Sequence, residues 1–461
     1  MKSISDLAAS LLCTPGFDKE AFESVHGSGE QVTSIRINPS KLLKPEDATS
    51  LRDIIDTSIL WTKYGYYLQS RPSFTFDPYF HAGCYYVQEA SSMFLEQALQ
   101  QTVDLSKPLR ILDLSAAPGG KSTHIQSIVS GDSLVVCNEV IRSRVNILRD
   151  NIVKWGCNNV MVTSNDPRDF ARLENFFDVI VVDAPCSGSG LFRRDEEAVK
   201  EWSENNVQLC SQRQQRILAD VWPALKKDGV LVYSTCSYSR EEDEEILEWM
   251  QSQFSTTGLR LDIPAAWNIL ETTAGQQFGY RFWPYRVRGE GFFLSCLRKL
   301  DGESRPTTKL RNKPDLASTR EKEILRKWLD IYAFDFIKNN NTVYAWPGPL
   351  VHDFGFLLSN LRVVYSGTII GGMMRDKLVP DHAFAMSRLA LPSVPAVDLS
   401  LNESIDYLQR KDLHLDAGQT GWHLVKYDGH SLGWINVLPN RINNYYPKEL
   451  RILKDVNNSI N

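Results

Sequence analysis

The sequence predicts an α/β protein built around a parallel β-sheet, and two observations support this fold class. Short apolar runs alternate with helical patterns between residues 110 and 234, which is the arrangement of consecutive β-α-β units. The first run ends in a turn that contains Pro118, Gly119 and Gly120, and a helical pattern starts at Lys121. A strand, a Gly-rich turn and a helix N-terminus together form a cradle for a nucleotide-type cofactor.

The composition is that of an ordinary globular protein. The chain has 461 residues, of which 43% are hydrophobic and 23% are charged, and this length predicts about three domains. No apolar run approaches the roughly 20 residues that cross a bilayer, and the N-terminus lacks a signal-peptide pattern, so we expect a cytoplasmic protein. The net charge of −5 argues against a nucleic-acid partner unless basic residues cluster locally.

The eight cysteines are scattered along the chain without any Cys-x-x-Cys pair. This spacing predicts neither a disulfide framework nor a zinc site, so we expect no metal. Each cysteine is therefore either a core residue or a reactive thiol.

Periodicity and composition divide the chain into five segments. We predict an N-terminal α/β substrate-binding domain (1–104), the sheet domain (105–300), a polar linker (301–315), a first C-terminal module (316–398) and a final β-rich module (399–461). Residues 305 to 327 carry eight Lys or Arg against three Asp or Glu. Because these basic residues cluster locally, the negative net charge does not exclude a nucleic-acid partner.

The N-terminal segment contains a predicted strand and an aromatic loop. The alternation from Val32 to Ile37 is typical of a strand, on which Arg36 either faces a phosphate or is a solvated surface residue. Residues 74 to 86 are rich in aromatic and turn residues, which suits either a packed loop or a base-stacking surface. A helix is predicted to open at residues 88 to 92 and to pack beneath the Gly-rich turn.

The sheet domain has a strand pattern with an amphipathic helix in its middle. Strands are predicted at residues 110–115, 133–138, 159–163, 178–183 and 229–234. A helix is predicted over residues 142–155, with one apolar face that includes Ile147, Leu148, Ile152 and Trp155.

Acidic residues stand at the ends of two of these strands. Glu139 ends the second strand, where a carboxylate accepts hydrogen bonds from the ribose of an adenosine-containing cofactor. Asp166 follows the third strand, where it either meets an adenine amino group or caps the next helix.

Two cysteines follow the ends of two further strands. Cys186 comes three residues after Asp183, and Cys236 comes two residues after Ser234. Because open α/β sheets bind ligands at the carboxyl ends of their strands, we expect both thiols to converge on the crevice beside the Gly-rich turn. A lone cysteine is more often an inert core residue than a nucleophile, but two at equivalent strand ends favour catalysis.

These motifs resemble those of the RNA cytosine-5 methyltransferases of the Nol1/Nop2/Sun group. The resemblance is carried by residues 113–121 (Asp-Leu-Ser-Ala-Ala-Pro-Gly-Gly-Lys), 183–190 (Asp-Ala-Pro-Cys-Ser-Gly-Ser-Gly) and 234–237 (Ser-Thr-Cys-Ser). It covers about residues 30 to 300 and extends through 34–39, 87–92, 281–284 and 289–293. The stretch 440–450 also resembles the end of bacterial members that act on 16S ribosomal RNA. Ser115 departs from the group, in which Cys or Ala is common there.

The resemblance implies a Rossmann-like, S-adenosylmethionine-dependent methyltransferase with a PUA-like, RNA-binding α+β extension at the C-terminus. It implies 16S ribosomal RNA or the small ribosomal subunit as the partner, and we expect a monomer that binds no membrane. The residues that it assigns to the cofactor are Ser115, Ala116, Ala117, Pro118, Gly119, Gly120, Lys121, Glu139, Arg144, Asp166 and Asp183.

Four residues are assigned to the reaction. Carbon 5 of cytosine is a poor nucleophile, so a thiolate first adds to carbon 6 and the resulting enamine attacks the methyl group. The resemblance implies that Cys236 is this thiolate and that Cys186 assists proton loss from carbon 5 and product release. The residues alone leave the order of the two thiols open. Asp183 is placed to hydrogen-bond the N3 and N4 edge of the base, and Lys121 holds the base, lowers a thiol pKa or belongs only to the cofactor loop.

Two charged groups flank these motifs. The acidic run from Glu241 to Glu245 is interpreted as the first turn of a helix, where negative charge is favoured by the helix dipole. Arg193 and Arg194 follow the Cys186 loop, where they either hold a substrate phosphate or belong to a solvated loop.

The C-terminal third is expected to bind RNA rather than to catalyse. A helix is predicted over about 319–333, a helical stretch over 403–410, and strands at 421–427 and 431–435. Basic and aromatic residues near the end form either a phosphate and stacking patch or a solvated tail; they are Arg441, Tyr445, Tyr446, Lys448, Arg451 and Lys454.

Two other functions remain open from the sequence. Gly120, Lys121 and Ser122 match the end of a Walker A loop, and residues 178–183 pass for a Walker B strand. Ser115 occupies the position of the first glycine of a Walker A loop, which argues against a nucleoside triphosphatase. An RNA-binding assembly factor with dispensable methylation is the second alternative, and the presence of both Cys186 and Cys236 argues against it.

Overall fold

The computed structural model describes residues 4–303 and 314–454. Most of the predicted linker and the first part of the basic stretch 305–327 lie outside these residues. The described strands form four sheets. Among the described residues, no helix combines the length and apolar character that a membrane span requires.

The N-terminal segment forms a four-stranded antiparallel sheet with short helices. Its elements are α1 (Ile4–Ser10), α2 (Lys19–Gly27), β1 (Thr33–Ile37), α3 (Thr49–Arg52), β2 (Ile55–Ser58), β3 (Gly65–Leu68), α4 (Pro78–His81), β4 (Tyr85–Val87) and α5 (Leu95–Thr102). The strand order is β2-β3-β1-β4. The predicted strand over residues 32–37 is confirmed as β1, whose five residues are all buried.

The central segment forms the large mixed sheet. Its elements are β5 (Arg110–Asp113), α6 (Gly120–Ile128), β6 (Leu134–Asn138), α7 (Arg142–Trp155), β7 (Val160–Thr163), β8 (Phe177–Asp183), α8 (Glu196–Glu201), α9 (Glu204–Val221), β9 (Leu225–Thr235), α10 (Glu244–Gln253), β10 (Thr256–Gly258), β11 (Leu270–Ala274), β12 (Gln277–Phe282) and β13 (Phe292–Lys299).

The strand order of this segment is β11-β12-β13-β9-β8-β5-β6-β7, and β10 pairs with β13. Strands β5 to β9 pair parallel with one another. Strands β10 to β13 pair antiparallel with one another, and β13 pairs antiparallel with β9. All five predicted strands are present, and the Rossmann-like fold class is confirmed.

The parallel strands are apolar at consecutive positions because both faces of the sheet are covered. Ile111 and Val135 belong to one core cluster, and their neighbours Leu112 and Val136 belong to the cluster on the other face. Successive side chains of a strand point to opposite faces, so each strand supplies both cores.

Helix α7 has the bounds that the sequence predicts, but its buried face is different. Val145, Leu148, Ile152 and Trp155 are buried at spacings of three and four residues, whereas Ile147 is 53% exposed. Ile147 lies next to Leu148 along the helix and therefore about 100° away around its axis. The placement of Ile147 on the apolar face was wrong.

The C-terminal segment contains two further four-stranded sheets. Its elements are α11 (Thr319–Leu325), β14 (Phe334–Asn339), β15 (Thr342–Pro347), α12 (Val351–Asn360), β16 (Val363–Ser366), β17 (Thr368–Met374), β18 (Lys377–Pro380), α13 (His382–Met386), β19 (Ala396–Asp398), α14 (Leu401–Leu408), β20 (Gly421–Tyr427), β21 (His430–Leu438) and β22 (Arg441–Asn444). The orders are β14-β15-β17-β18 and β19-β20-β21-β22.

One C-terminal strand joins the central sheet. Strand β16 pairs antiparallel with β7, with Tyr365 opposite Val162 and Ser366 opposite Met161. The predicted helix over 319–333 ends at Leu325, because the chain then turns and Leu329 pairs with Ala390 in an isolated bridge.

Candidate active site

The two cysteine loops leave the sheet side by side. Strands β8 and β9 are parallel neighbours, and their register places Asp183 opposite Ser234. Cys186 and Cys236 follow these positions by three and two residues, and their Sγ atoms lie 2.9 Å apart. The structure thus brings together the two thiols that the sequence singles out.

A close approach of the backbone fixes this pair. The amide of Gly190 donates a hydrogen bond to the carbonyl oxygen of Cys236 at 2.9 Å. A Cβ atom on Gly190 would lie 2.8 Å from that same oxygen and 2.6 Å from the carbonyl oxygen of Gly291. Only glycine allows the two loops to approach so closely at this position.

The Cys236 sulfur shifts the pKa values of two neighbouring groups, Cys186 and Lys121. The hydrogen bond to Cys236, together with burial, raises the pKa of Cys186 well above its usual value, so Cys186 holds its proton. The Cys236 sulfur is one of the groups that raise the pKa of Lys121.

Lys121 and Asp183 form an ion pair beside the thiols. Lys121 Nζ lies 2.7 Å from Asp183 Oδ2, and the hydroxyl of Ser234 donates to Asp183 Oδ1 at 2.8 Å. Burial opposes the charge on Lys121, but the carboxylates of Asp183 and Asp113 and the Cys236 sulfur hold its pKa above the usual value. The side chain of Asp183 remains 35% exposed and therefore open to a ligand.

Glu242 ties the two cysteine loops together. Its carboxylate accepts hydrogen bonds from the amide of Ser187 at 2.8 Å and from the hydroxyls of Ser187 and Ser237 at 2.5 and 2.6 Å. The side-chain amide of Gln214 donates to it at 3.2 Å. Ser187 and Ser237 directly follow the two cysteines, so one buried carboxylate fixes both thiol loops.

The prediction that the acidic run lies in the first turn of a helix is confirmed for Glu244 and Glu245, which lie in the first turn of α10. It was wrong for Glu241 and Glu242, which lie in a preceding 3-10 turn. Glu242, Asp243 and Glu244 are buried, and Glu242 lies in a 3-10 turn before α10. Glu244 and Asp243 form ion pairs with the buried guanidinium of Arg281. The sequence reasoning missed this network because a charge run carries no signal of which side chains the fold buries; the serine after each cysteine was the available hint.

The Gly-rich turn is held from the neighbouring strand and from α7. The amide of Ala116 donates to the carbonyl of Asn138 at 2.8 Å, and Arg144 donates to the carbonyl of Ala117 at 2.6 Å. Asn151 donates to the carbonyl of Pro118 at 2.8 Å. Gly119 caps α6 with a φ of +114°, a conformation that favours glycine. The turn is therefore preorganised.

A buried hydrogen bond links the start of α6, just after the turn, to the end of β5. The hydroxyl of Ser122 donates to Asp113 Oδ2 at 2.6 Å, and burial raises the pKa of Asp113 to about 7. Because Ser122 and Lys121 are both bonded to carboxylates of the protein, neither is free to act as a Walker Ser or Lys. The geometry does not support the triphosphatase alternative.

The two strand-end carboxylates have different surroundings. Glu139 is 3% exposed; Oε1 accepts from the amide of Ile141 at 2.8 Å, and Oε2 lies 3.7 Å from Arg144. Its remaining lone pairs fit ribose hydroxyls. Asp166 accepts from the amide of Arg168 at 3.2 Å and thus caps the 3-10 turn that follows β7, which was one of its two predicted roles.

A pocket of about 190 Å³ opens where these groups meet. Its lining includes Lys121, Asp183, Ser115, Ala116, Ala117, Pro118 and Gly120 of the predicted cofactor and catalytic set. The opposite wall comes from the N-terminal segment through Tyr86, Val87, Gln88, Glu89 and Ser92. The small residues of the turn and the positive N-terminus of α6 fit the methionine end of S-adenosylmethionine. The predicted site residues that do not line this pocket are Gly119, Glu139, Arg144, Asp166, Cys186 and Cys236.

Arg36 has neither of its two predicted roles. It is fully buried and donates to Gln88 Oε1 at 2.9 Å and to the carbonyl of Gly120 at 3.2 Å. It also donates to Thr123 Oγ1 at 2.6 Å and Ser127 Oγ at 2.9 Å. Arg36 therefore joins the N-terminal sheet to the cofactor turn.

Arg193 and Arg194 are also structural. Arg194 Nε lies 3.0 Å from Glu290 Oε1, and Arg193 donates to the carbonyl of Gly289 at 3.1 Å. Their guanidinium groups fasten the Cys186 loop to the segment before β13, which neither predicted role describes. In the C-terminal patch, Tyr446 is 3% exposed and so does not contribute a stacking surface.

Comparison with known proteins identifies the family of this chain. Residues 100–298 match the family described as 16S rRNA methyltransferase RsmB/F, residues 10–90 the N-terminal domain of 16S rRNA methyltransferase RsmF, and residues 394–452 the methyltransferase RsmF PUA domain. Ribosomal RNA small subunit methyltransferase F of Psychromonas ingrahamii is 30% identical over 412 residues, covering 86% of this chain and 85% of the relative. The chain belongs to this methyltransferase F family.

Solved structures add to the likeness. A methyltransferase homologue from Pyrococcus horikoshii is 27% identical, with a TM-score of 0.53 over 64% of this chain and 94% of that one. The crystal structure of NSun6 from the same organism with SFG is 18% identical, with a TM-score of 0.54 over 66% of this chain and 99% of that one, and shows the same fold. The resemblance seen in the sequence is confirmed.

The family is S-adenosylmethionine-dependent, so the predicted cofactor is confirmed. The protein is a methyltransferase of this family. Among residues 4–303 and 314–454, no group of three or more His, Cys, Asp or Glu side chains is arranged to hold a metal ion.

Proposed function

We propose that this methyltransferase transfers a methyl group to carbon 5 of a cytosine in 16S ribosomal RNA through a covalent Cys236 adduct. The observation that carries the proposal is the pair of sulfur atoms, 2.9 Å apart at the ends of β8 and β9. A methyltransferase that acts on nitrogen or oxygen needs no second thiol at its centre, whereas attack by carbon 5 needs a nucleophile and a partner for proton loss.

Cys236 adds to carbon 6 of the base in the first step. Lys121 stabilises the thiolate before attack, and its charge then offsets the negative charge that develops on the ring. Asp183, held by Lys121 and Ser234, keeps lone pairs for the amino group at N4. Addition makes carbon 5 electron-rich.

Cys186 acts in the later steps. The methyl group comes from S-adenosylmethionine when it is bound. Cys186 first releases its own proton to solvent, and its thiolate then accepts the proton from carbon 5. The electron pair of that C–H bond forms the double bond between carbons 5 and 6, the bond between carbon 6 and Cys236 breaks, and the Cys236 thiolate is returned. A raised pKa means that the Cys186 thiolate, once formed, binds a proton strongly, which suits it to accept the carbon 5 proton.

The cofactor is assigned to the turn and strand ends. We place its methionine end on residues 115–121 and Asp183, its ribose on Glu139 and Arg144, and its adenine beside Asp166. The buried Glu139 and the preorganised turn support this assignment. The target base reaches the pocket by leaving its stack, because the thiolate must approach carbon 6 from the face of the ring, which neighbouring bases cover in a duplex.

Bisulfite sequencing of 16S ribosomal RNA, incubated with the purified protein and S-adenosylmethionine, tests the proposal. The expected result is protection of a cytosine that remains unprotected with Cys236→Ala. Methylation confined to other atoms, or no change in any cytosine, would overturn it. The latter result together with RNA binding would favour the assembly-factor alternative.

A further inference from the structure

A cleft of about 790 Å³ lies where three parts of the chain meet. Its walls come from residues 71–87, from α7 and from residues 450–454. Four cations line it: Arg71, Lys154, Arg451 and Lys454. The described residues that line this basic cleft include no Asp or Glu.

The cations of the basic cleft lack carboxylate partners. Within residues 4–303 and 314–454, none of the four has an ion-pair partner within 4.0 Å. Lys154 Nζ instead lies 3.9 Å from the centroid of the Phe80 ring. Burial and the nearby Lys41 lower the pKa of Lys154 to about 8, against the opposing effect of the Asp150 carboxylate. An anion bound in the basic cleft would stabilise the charged form of Lys154.

Aromatic rings lie among these cations. Phe74, Phe80 and Tyr86 line the basic cleft and are only partly buried. Tyr86 and Val87 also line the catalytic pocket. The basic cleft and the pocket that holds Lys121 and Asp183 therefore share a wall formed by Tyr86 and Val87.

We propose that the basic cleft binds the single-stranded RNA that flanks the target cytosine. The cations contact phosphates, and the rings of Phe74, Phe80 and Tyr86 stack on bases, which is the combination that other single-strand sites use. The proposal rests on the proposed function, since it extends the path of the strand from the base in the catalytic pocket. It also gives the N-terminal aromatic loop and the C-terminal cations one shared role.

Salt-dependent binding of a fluorescein-labelled cytidine oligonucleotide of about ten residues tests the basic cleft. We expect the double variant Lys154→Gln with Arg451→Gln to weaken binding about tenfold at roughly 100 mM salt. The plot of log K against log salt concentration should flatten by about 1.4, because two phosphate contacts are lost. The affinity for S-adenosylmethionine should be unchanged.

The matched control is Lys227→Gln with Lys377→Gln, which removes the same charge from exposed positions outside the basic cleft and outside the basic stretch 305–327. If the basic-cleft pair behaved like this control pair, the proposal would be overturned. Because Lys154 is partly buried, the exposed pair Arg451→Gln with Lys454→Gln provides a second test, and its melting temperature should match that of the unchanged protein.

The two proposals fail separately. Loss of oligonucleotide binding in the basic-cleft variants without any cytosine methylation by the unchanged protein would keep the basic cleft and reject the proposed function. Normal cytosine methylation with an unchanged salt slope in the variants would support the proposed function and reject the role of the basic cleft.

Discussion

The carboxylate of Glu242 accepts hydrogen bonds from both the amide and the hydroxyl of Ser187, the residue that follows Cys186. The same carboxylate reaches Ser237, which follows Cys236. The spacing of the two thiols therefore depends on a third residue that has no reactive group of its own.

Glu242→Gln should lower kcat for methyl transfer about a hundredfold, because it turns a side-chain NH₂ towards hydroxyl and amide donors and shifts the thiols. Affinity for S-adenosylmethionine should stay the same in calorimetric titration. Glu241→Gln is the control, since Glu241 precedes Glu242 and is more exposed. An equal fall in kcat for both variants would contradict a positioning role for Glu242.

The two cysteines should give opposite results when they are removed singly. Cys186→Ala should accumulate a covalent RNA adduct that survives denaturing electrophoresis, because elimination fails after Cys236 has added. Cys236→Ala should form no adduct and should transfer no methyl group. An adduct in the Cys236 variant would exchange the roles of the two thiols.

Glu139→Gln should raise the dissociation constant for S-adenosylmethionine about tenfold, since a charged acceptor for ribose hydroxyls becomes a neutral amide. Oligonucleotide binding should not change. Asp166→Ala is an informative companion: loss of the cap alone lowers the free energy of unfolding by about 1 kcal/mol, and only contact with adenine also weakens cofactor binding.

Arg36→Lys should destabilise the protein by on the order of 2–4 kcal/mol, because a lysine cannot replace the five hydrogen bonds that Arg36 makes. Cofactor affinity should fall as well, since one of these bonds ends on Gly120. Thermal unfolding and titration measure the two effects. The exposed Arg52→Lys should change neither, and a loss of stability without a loss of affinity would separate Arg36 from the turn.

Acid should destabilise the protein partly through His124. Burial lowers the pKa of His124 to about 4, and Arg36 acts in the same direction, against the hydrogen bond to Glu96. The unfolded chain therefore binds one more proton between about pH 6.5 and 4, and the free energy of unfolding falls by about 1.4 kcal/mol for each pH unit of acidification. Melting curves across this range should show a shallower pH dependence for His124→Gln, whereas the exposed His414→Gln should follow the unchanged protein.

The parts of the fold that the sequence predicts are those with a local signal. The strand at 178–183 and the helix at 142–155 are marked by apolar periodicity and by the turns around them, and the two cysteines are marked by their place after strands. Glu242 and Arg36 were misread because their burial depends on neighbours more than 50 residues away in the chain. A charged residue in a sequence is predicted to be exposed to solvent unless its buried partner is known. The partners of Glu242 and Arg36 come from distant strands and loops.

The pairing of β16 with β7 makes the C-terminal segment part of the catalytic sheet. Arg362, just before β16, exchanges hydrogen bonds with Asn165 and Ser164, next to the predicted adenine contact Asp166. A fragment that ends at residue 300 would leave β7 as an open edge, which is prone to pair with other chains. The C-terminal segment thus completes the catalytic sheet of this protein, and a shortened chain would need another cover for that edge.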